Sequence, residues 1–447
     1  MRIEDPRSAM VDQIFLSILG RNATPTEMSL YRLLGTDAIK DIANTILYED
    51  SSLGYTLKLL NDTSKVKKKK GVTIVSPYNK RCGISTYTEN LFRHLKEFEH
   101  LGKSEHLGNI EAINIASEVT RNRDDNSDED GVVSCWSCSS DDFNSKILEQ
   151  VAKFGNKIVH IQHEFGLYKN NDLLRILISD LKRCGFKVMI TLHTVHSEPI
   201  FDRYYSHADV IIVHSEFAAV RLYAKGINNV TVIKHGTYDP IKVGKIDSIE
   251  FVEQFIKLNP DDILGCSVGF ITKNKLQEET LKAVKLAQEK VKNLKFLLIG
   301  STGRREYDSD YFPLLESLES DNIKVVNEYI SDKEIAMILT ASDFAIMNYH
   351  PTNHSTSGAS HLLMAYGIPS ISSTSKILDD LDPGMSIKVD GGRIDDIANA
   401  IIQMCSNDEM RFKMGENAKS AGIQTSWKIS AENHINVYKS IGEFDAD

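Results

Sequence analysis

Short runs of apolar and β-branched residues alternate with helical stretches along most of this chain, and the alternation occurs in two series. Continuous β-branched runs are typical of buried parallel strands, and their alternation with helices indicates α/β domains. The runs are 72–76, 158–162, 188–192, 210–213 and 230–233 in the first series, and 265–270, 296–300, 323–329 and 344–347 in the second. Because 447 residues exceed what one hydrophobic core usually supports, we predict two doubly wound parallel-sheet domains of Rossmann-like type.

The two series also define the domain boundaries. The first domain is predicted over 71–240 and the second over 261–425, with a connector at 241–260. In open α/β sheets, ligands gather at the carboxyl ends of the strands. Two such domains that face each other form a cleft, which is a favoured position for a ligand site.

Residues 1–63 have a different pattern, which indicates a small all-α accessory module. Apolar residues recur at helical spacing on both sides of a helix-start signature at 24–27. The segment 14–25 resembles a bacterial helical domain of unknown function that is often attached to glycosyltransferases. Nothing in it points to catalysis, so we interpret it as a docking or targeting module.

Five lysines stand in the six residues Lys65–Lys70, directly before the first strand. So dense a block of like charge predicts a solvated linker over 64–70, and the alternative is contact with anionic lipid headgroups. The net charge of −10 gives the whole chain no attraction to nucleic acid. Since no apolar run is long enough for a membrane span or a secretory signal, we expect a cytoplasmic protein, with peripheral attachment at the inner face of the membrane as the alternative.

Two features interrupt the first series. The segment 121–130 is polar and strongly acidic, which predicts a surface insertion without a fixed shape. Cys135 and Cys138 form a lone C-x-x-C, but a structural zinc site needs four ligands and no second pair follows nearby. Because six cysteines are scattered along the chain, we expect reduced thiols and no metal.

Capping boxes mark two predicted helix starts. Thr86 and Glu89 are expected to cap each other at the start of a helix over 86–98. Ser331 and Glu334 form the same pattern in the second series.

Five short motifs follow one another in the two predicted domains. They are Gly83–Leu91, His160–Gly166, Thr191–Thr194, Lys234–Gly236 and Ser357–Pro369. Together they resemble the landmarks of retaining glycosyltransferase family 4. The resemblance implies the GT-B fold, in which two Rossmann-like domains face a cleft and a terminal helix, here 426–447, crosses back onto the first domain.

The same resemblance implies a reaction. A hexose would pass from a UDP- or GDP-linked sugar, used as a substrate, to a glycan, a lipid-linked or a protein acceptor. No cofactor and no metal would take part. The anomeric configuration would be retained, with the departing phosphate helping to accept the proton of the acceptor.

The donor site must offset the charge of the leaving diphosphate with cations and backbone N–H groups. Lys275, with Lys273 close by, stands where a strand passes into a helix. A second anion site is predicted at a turn of small residues before a helix, whose amino end favours anions. The turn residues are Asn353, Ser355, Thr356, Ser357 and Gly358. Tyr329, with Glu328, is near the position that the resemblance gives to the nucleotide base.

The turn departs from the family pattern at two positions. The family carries a glutamate at each end of a nine-residue motif, whereas this chain has His354 and Leu362 there. In the family these acids touch the donor sugar and the ribose. Their replacement leaves three functions open: a glycosyltransferase, an inactive homologue that acts as a partner subunit of a glycosylation complex, and a nucleotide-sugar epimerase of the same architecture.

Acceptor contacts are expected in the first domain. Gly83 and Ile84 belong to the loop above its first strand, where a small residue permits close approach of a sugar. His163, Glu164 and His193 follow strand ends at the same edge. An imidazole there can donate a hydrogen bond to a hydroxyl or assist proton transfer. The alternative is that the histidines satisfy core or loop carbonyls.

Four further ring side chains are assigned structural roles. They are His160, His196, His235 and Trp427, the last of which we expect to pack in the core rather than to stack on substrate.

Overall fold

A computed structural model of the chain describes residues 52–80, 82–100, 110–119, 129–140, 142–168, 171–198, 205–302, 310–352 and 356–443. The predicted accessory module lies outside the described residues except for its last helix, α1 (Ser52–Lys65). Most of the acidic segment 121–130 lies outside them as well, and so do Asn353, His354 and Ser355.

The first domain is built on a sheet in which every neighbouring pair of strands is parallel. The strands are β1 (Lys69–Ser76), β2 (Ala112–Glu118), β3 (Val132–Trp136), β4 (Asn156–His163), β5 (Lys187–Leu192), β6 (Val210–Val213) and β7 (Val230–Val232). The helices are α2 (Gly83–His100), α3 (Phe143–Phe154), α4 (Asn171–Arg183) and α5 (Glu216–Tyr223). The order β3-β2-β1-β4-β5-β6-β7 reverses direction at β1, which is doubly wound topology.

The second domain repeats this plan. Its strands are β8 (Ile263–Val268), β9 (Leu294–Gly300), β10 (Ile323–Asn327), β11 (Phe344–Met347), β12 (Ser370–Ser373) and β13 (Ser386–Val389). Its helices are α6 (Lys245–Val252), α7 (Gln277–Gln288), α8 (Tyr311–Glu316), α9 (Asp332–Ala341), α10 (Gly358–Tyr366), α11 (Ile394–Ser406) and α12 (Asp408–Gln424). All pairs in the order β10-β9-β8-β11-β12-β13 are parallel. The predicted pair of doubly wound domains is therefore confirmed.

Each sheet has an apolar core on both faces, because successive side chains of a strand point in opposite directions. In β1, Val75 belongs to the cluster on one face and Ile74 to the cluster on the other. In β9, Leu298 belongs to the cluster on one face of the second sheet and Leu297 to the cluster on the other. Helices cover both faces, which explains why these strands read as continuous apolar runs.

Four strands were not predicted, namely β2, β3, β12 and β13. All four residues of β12 are buried although three of them are serines, so its sequence lacks an apolar signal. Cys135 of the C-x-x-C pair lies in β3, and burial raises the pKa of its thiol to about 12, which disfavours the reactive thiolate. All six cysteines are free thiols.

The lysine-rich segment is mostly part of regular structure. Helix α1 extends to Lys65 and packs Leu59 and Leu60 against the core of the first domain. Strand β1 already begins at Lys69, and the Lys68 ammonium lies 4.6 Å from the centre of the Phe186 ring. The solvated linker expected over 64–70 is therefore reduced to three residues between α1 and β1, and contact with lipid stays a prediction.

Helix α2 begins at Gly83, three residues earlier than predicted. The Glu89 carboxylate does not cap Thr86; it accepts hydrogen bonds of 2.7 Å from the Asn79 N–H and the Ser85 hydroxyl. Glu89 thus fixes the loop before the helix. In contrast, the capping box of Ser331 and Glu334 at the start of α9 is confirmed.

The connector predicted at 241–260 contains α6, and its Val252 is buried in the apolar cluster of the second domain. The chain then returns through a last helix, α13 (Trp427–Gly442). In this helix, Tyr438 hydrogen-bonds His160 of β4 at 2.8 Å, and Trp427 is completely buried. The terminal helix therefore lies on the first domain, and Trp427 and His160 are packed inside the protein.

Candidate functional site

The carboxyl-end loops of the first sheet meet the amino end of α10 in the second domain. A Cβ atom added to Gly358, the first residue of α10, would lie 3.3 Å from the Tyr238 hydroxyl and 3.7 Å from Nε2 of His235. Both residues follow β7. The predicted anion-binding turn therefore lies directly at the boundary between the domains.

The two predicted donor lysines lie in a short 3-10 helix, Lys273–Lys275, between β8 and α7. Lys273 is exposed, whereas Lys275 is half-buried. The Lys275 ammonium lies 5.5 Å from the centre of the Tyr349 ring and close to the backbone of Gly269, where an added Cβ would be 2.9 Å away. Lys275 thus lies beside the backbone of Gly269, which has no side chain to keep a phosphate away.

This lysine loop is joined to the turn before α10. The N–H of His350 donates to the carbonyl of Asn274 at 2.8 Å. The Ser357 hydroxyl lies 3.5 Å from that of Tyr349, the same ring that faces Lys275. The two predicted anion sites therefore belong to one continuous region of the second domain.

Within the turn itself, Thr356, Ser357 and Gly358 are described. Ser357 is the N-cap of α10, but its side chain makes no capping bond, so the first N–H groups of the helix are not satisfied by it. The Thr356 hydroxyl donates to the Asp380 carboxylate at 2.6 Å. Of the two positions that depart from the family, Leu362 is partly buried and packs against the apolar cluster of the second domain. A glutamate is therefore replaced there by a packing residue.

Tyr329 follows β10 and is 58% exposed. The preceding Glu328 donates its N–H to the carbonyl of Gly300, at the end of β9. Tyr329 thus lies at the carboxyl edge of the second sheet, where a base-binding residue is expected.

His163 is not in the position that the sequence analysis expects. It is the last residue of β4, which extends one residue further than predicted, and it is completely buried. Its ring stacks on Tyr168 at 5.7 Å and meets the edge of Phe165 at 4.6 Å. The prediction that His163 faces the ligand is therefore wrong for this arrangement, because the longer strand places its ring in the core.

Glu164 and His193 join the ends of β4 and β5. The Glu164 carboxylate accepts from the Thr194 hydroxyl at 2.6 Å and from the Phe165 N–H at 3.0 Å. The Nε2 atom of His193 lies 2.9 Å from the side-chain oxygen of Gln162, to which it must donate. Thr194 and Phe165 therefore help to orient Glu164, and Gln162 helps to orient His193.

The His193 ring is surrounded by other rings. It lies 4.8 Å from the Tyr87 ring and 5.1 Å from that of His214. Burial, together with neighbouring histidines, lowers the pKa of His193 well below its ordinary value. The imidazole is neutral near pH 7 and can exchange hydrogen bonds without carrying charge.

Gly83 and Ile84 form the first turn of α2 rather than a loop above β1. Gly83 is exposed, and an added Cβ would meet no atom of the described residues within 4 Å. The open amino end of α2 leaves room for a ligand here.

Sequence reasoning missed His214, His361 and Asp380. His214 follows β6 as His193 follows β5, so its place at a strand end was a usable signal. His361 lies inside α10, and Asp380 lies after the 3-10 helix Lys376–Leu378. Their proximity to the boundary results from folding, and no local pattern marks it.

Among the described residues, no group of three or more His, Cys, Asp or Glu side chains is placed to hold a metal ion. Within the same part of the chain, no helix is both long and apolar enough to cross a bilayer.

Residues 248–421 match the family model described as Glycosyl transferases group 1. The match runs from α6 into α12 and so includes Lys275, the turn and α10. The second domain is therefore similar to the glycosyl transferases group 1 family. This match agrees with the resemblance that the motifs carry, while a comparison with curated proteins gives no match.

Solved structures extend the likeness to both domains. A glycosyltransferase from Rickettsia africae is 18% identical, with a TM-score of 0.67 over 84% of this chain and 99% of its own. Sucrose-phosphate synthase from Thermosynechococcus elongatus is 15% identical, with a TM-score of 0.64 over 84% of this chain and 100% of its own. Anabaena HepE, solved in complex with UDP-glucose, is 13% identical, with a TM-score of 0.61 over 83% of this chain and 99% of its own. The two domains together have the GT-B fold.

Proposed function

We propose that this protein is a glycosyltransferase that moves a hexose from a nucleotide sugar to a glycan, a lipid-linked or a protein acceptor. One observation carries the proposal: within the second domain, Lys275 and the amino end of α10 belong to one region that borders the first domain. The fold is shared with a protein solved with UDP-glucose. The donor is therefore proposed to be UDP- or GDP-linked.

In this proposal, cleavage of the donor is supported by fixed positive charge and dipoles. The Lys275 ammonium and the first N–H groups of α10 would offset the charge that develops on the departing diphosphate. Tyr329 would contact the base at the open edge of the second sheet. We propose that no metal is required and that the configuration is retained, with the departing phosphate accepting the proton of the acceptor.

The acceptor would enter from the first domain. Glu164 is held by Thr194 and Phe165, so its carboxylate is positioned to orient a hydroxyl group. Neutral His193 can hydrogen-bond a sugar hydroxyl next to it. Gly83 and Ile84 leave the amino end of α2 open for the remainder of the acceptor.

A thermal-shift screen with UDP-, GDP- and ADP-sugars tests the donor part of the proposal. A ligand at a hundred times its Kd stabilises a protein by about 2.7 kcal/mol, which is easily measured. At least one nucleotide sugar should raise the melting temperature of the wild type. Lys275→Ala should lose that shift, whereas Lys285→Ala, which removes an exposed lysine of α7, should keep it.

Leu362 supports a second candidate, an inactive homologue that acts as a partner subunit. It packs in an apolar cluster where the family has an acid that touches the donor. If this candidate holds, no nucleotide sugar will shift the melting temperature, and the protein will co-purify with an active transferase or a glycosylated protein.

A further inference from the structure

The carboxylate of Asp380 connects three parts of the molecule. One oxygen accepts from the Lys234 ammonium of the first domain at 3.0 Å. The other oxygen accepts from the hydroxyl of Thr356, in the turn before α10, at 2.6 Å. The same oxygen lies 3.5 Å from Nε2 of His361. This distance is long for a hydrogen bond but short enough for an electrostatic interaction between the carboxylate and the imidazole. Asp380 therefore bridges the first domain and the turn.

The surroundings of this carboxylate favour its charged form. The Asp380 side chain is only 8% exposed, and burial by itself raises its pKa. The neighbouring imidazole, ammonium and hydroxyl groups outweigh burial and hold the pKa well below its ordinary value. A nearly buried carboxylate that stays ionised holds its donors firmly, because hydrogen bonds to a charged group are about twice as strong as neutral ones.

The two contacts of Asp380, with Lys234 and with Thr356, differ in their exposure to solvent. The Lys234 side chain is 48% exposed, so its ion pair is screened by water and contributes little stability. The bond from Thr356 is partly buried and short. Asp380 therefore acts mainly on the turn, while Lys234 sets where the carboxylate stands relative to the first domain.

A second connection joins the same elements. Nδ1 of His361 is 2.8 Å from the hydroxyl of Thr237, in the segment that follows β7. The Thr237 hydroxyl also lies 2.8 Å from that of Thr425, just before α13. The helix that begins at the turn is therefore tied to the chain segments that cross between the domains.

We propose that Asp380 is a positioning residue, which fastens Thr356 and the amino end of α10 to the first domain so that the anion site is complete only when the two domains meet. The description of this site as a donor site rests on the proposed function. The bridge itself rests only on the contacts of Asp380.

Hydrogen exchange tests the bridge without any ligand. In Asp380→Asn the amides of 356–362 should exchange about tenfold faster than in the wild type, which is the loss expected for one hydrogen bond to a charged group. The matched control is Asp379→Asn, because that carboxylate pairs with Lys376 on the surface, at 3.2 Å. The control should leave exchange at 356–362 unchanged.

Thr356→Val provides a variant that removes the hydroxyl and leaves Asp380 ionised, and it should give the same local increase in exchange. Unchanged exchange at 356–362 in both variants would overturn the proposal. So would an increase that is spread evenly over the chain, since a general loss of stability is not positioning.

Steady-state kinetics then test the consequence for the donor. Asp380→Asn should raise the KM for the nucleotide sugar about tenfold and leave the KM for the acceptor unchanged. Equal changes in both KM values would contradict a role in the donor site. If the wild type binds no nucleotide sugar, the proposed function fails, while the exchange experiment still decides whether Asp380 holds the turn.

Discussion

The imidazole rings of His235 and His361 stack across the domain boundary, with their centres 4.7 Å apart and their planes inclined by 26°. His235 follows β7 of the first domain, and His361 lies in α10 of the second. Burial, followed by the neighbouring histidines, lowers the pKa of His235 well below its ordinary value. The boundary next to the proposed donor site therefore includes packed rings as well as ion pairs.

Because the two rings stack, we expect removal of the His361 ring to destabilise the protein. This side chain is completely buried and bonds Thr237, so His361→Ala leaves a cavity and removes one hydrogen bond of the Thr237 hydroxyl. We expect the free energy of unfolding to fall by roughly 3 kcal/mol in urea titrations. His207→Ala, at an exposed position, should change it by less than about 0.5 kcal/mol. Equal effects of the two substitutions would contradict the packing described.

The close packing of Gly236 against the terminal helix makes a substitution at this position a test of that packing. A Cβ atom at this position would lie 2.0 Å from Cδ2 of Trp427, whose ring is completely buried. Gly236→Ala should therefore lower the free energy of unfolding by about 3 kcal/mol. Gly83→Ala, where the added methyl group meets none of the described atoms within 4 Å, should be nearly neutral. Thermal melts of the two variants measure the difference, and similar melting temperatures would rule out close packing at Gly236.

The buried histidines predict a fall in stability at mildly acid pH. Burial lowers the pKa values of His214 and His434 to about 4, whereas an unfolded histidine titrates near 6.5. Between these values the unfolded chain binds protons that the folded chain does not, so the free energy of unfolding falls as the pH falls. Each residue should contribute on the order of 1 kcal/mol per pH unit in that window.

Urea titrations from about pH 7 to about pH 5 measure this slope. His434→Gln should reduce it, because one titrating group is removed. A slope that is unchanged in the variant, or a wild type with constant stability over this range, would show that these histidines are not buried as described.

The backbone at Gly269 lies beside Lys275, so we expect a substitution of this glycine to affect donor binding. Its φ of 124° is rarely adopted by other residues, and an added Cβ would also lie 2.9 Å from the Lys275 ammonium. Gly226→Ala is the matched control, since Gly226 also has a positive φ, 77°, but no atom in the described part of the chain lies within 4 Å of an added Cβ. Both variants should lose stability, but only Gly269→Ala should lose the thermal shift caused by a nucleotide sugar. Loss of the shift in both would assign the effect to backbone strain alone.

The fold was largely predictable from the sequence, because buried parallel strands need continuous apolar runs. The run 210–213 matches β6, and 344–347 matches β11. β12 was not predicted because serine is polar, yet it can be buried when its hydroxyl is hydrogen-bonded inside the sheet. The hydroxyl groups of Ser372 and Ser386 form such a bond at 2.7 Å. Polar composition alone does not reveal such burial.

The site was less predictable, because it depends on where strands end and on contacts between distant segments. One extra residue in β4 moved His163 into the core. His361 and Asp380 meet through packing, and neither belongs to a pattern that marks a ligand site. The lysine loop and the turn were predicted from the local signals of strand ends and helix starts, and their contact with a ligand stays a prediction.

Release of nucleoside diphosphate from a nucleotide sugar tests the central claim most directly. A coupled assay would be run with the donor that gives the largest thermal shift, for the wild type, Lys275→Ala and Lys285→Ala. We expect release by the wild type and by Lys285→Ala, slow without acceptor, and its loss in Lys275→Ala. No release by the wild type with any UDP-, GDP- or ADP-sugar, or undiminished release by Lys275→Ala, would contradict the claim.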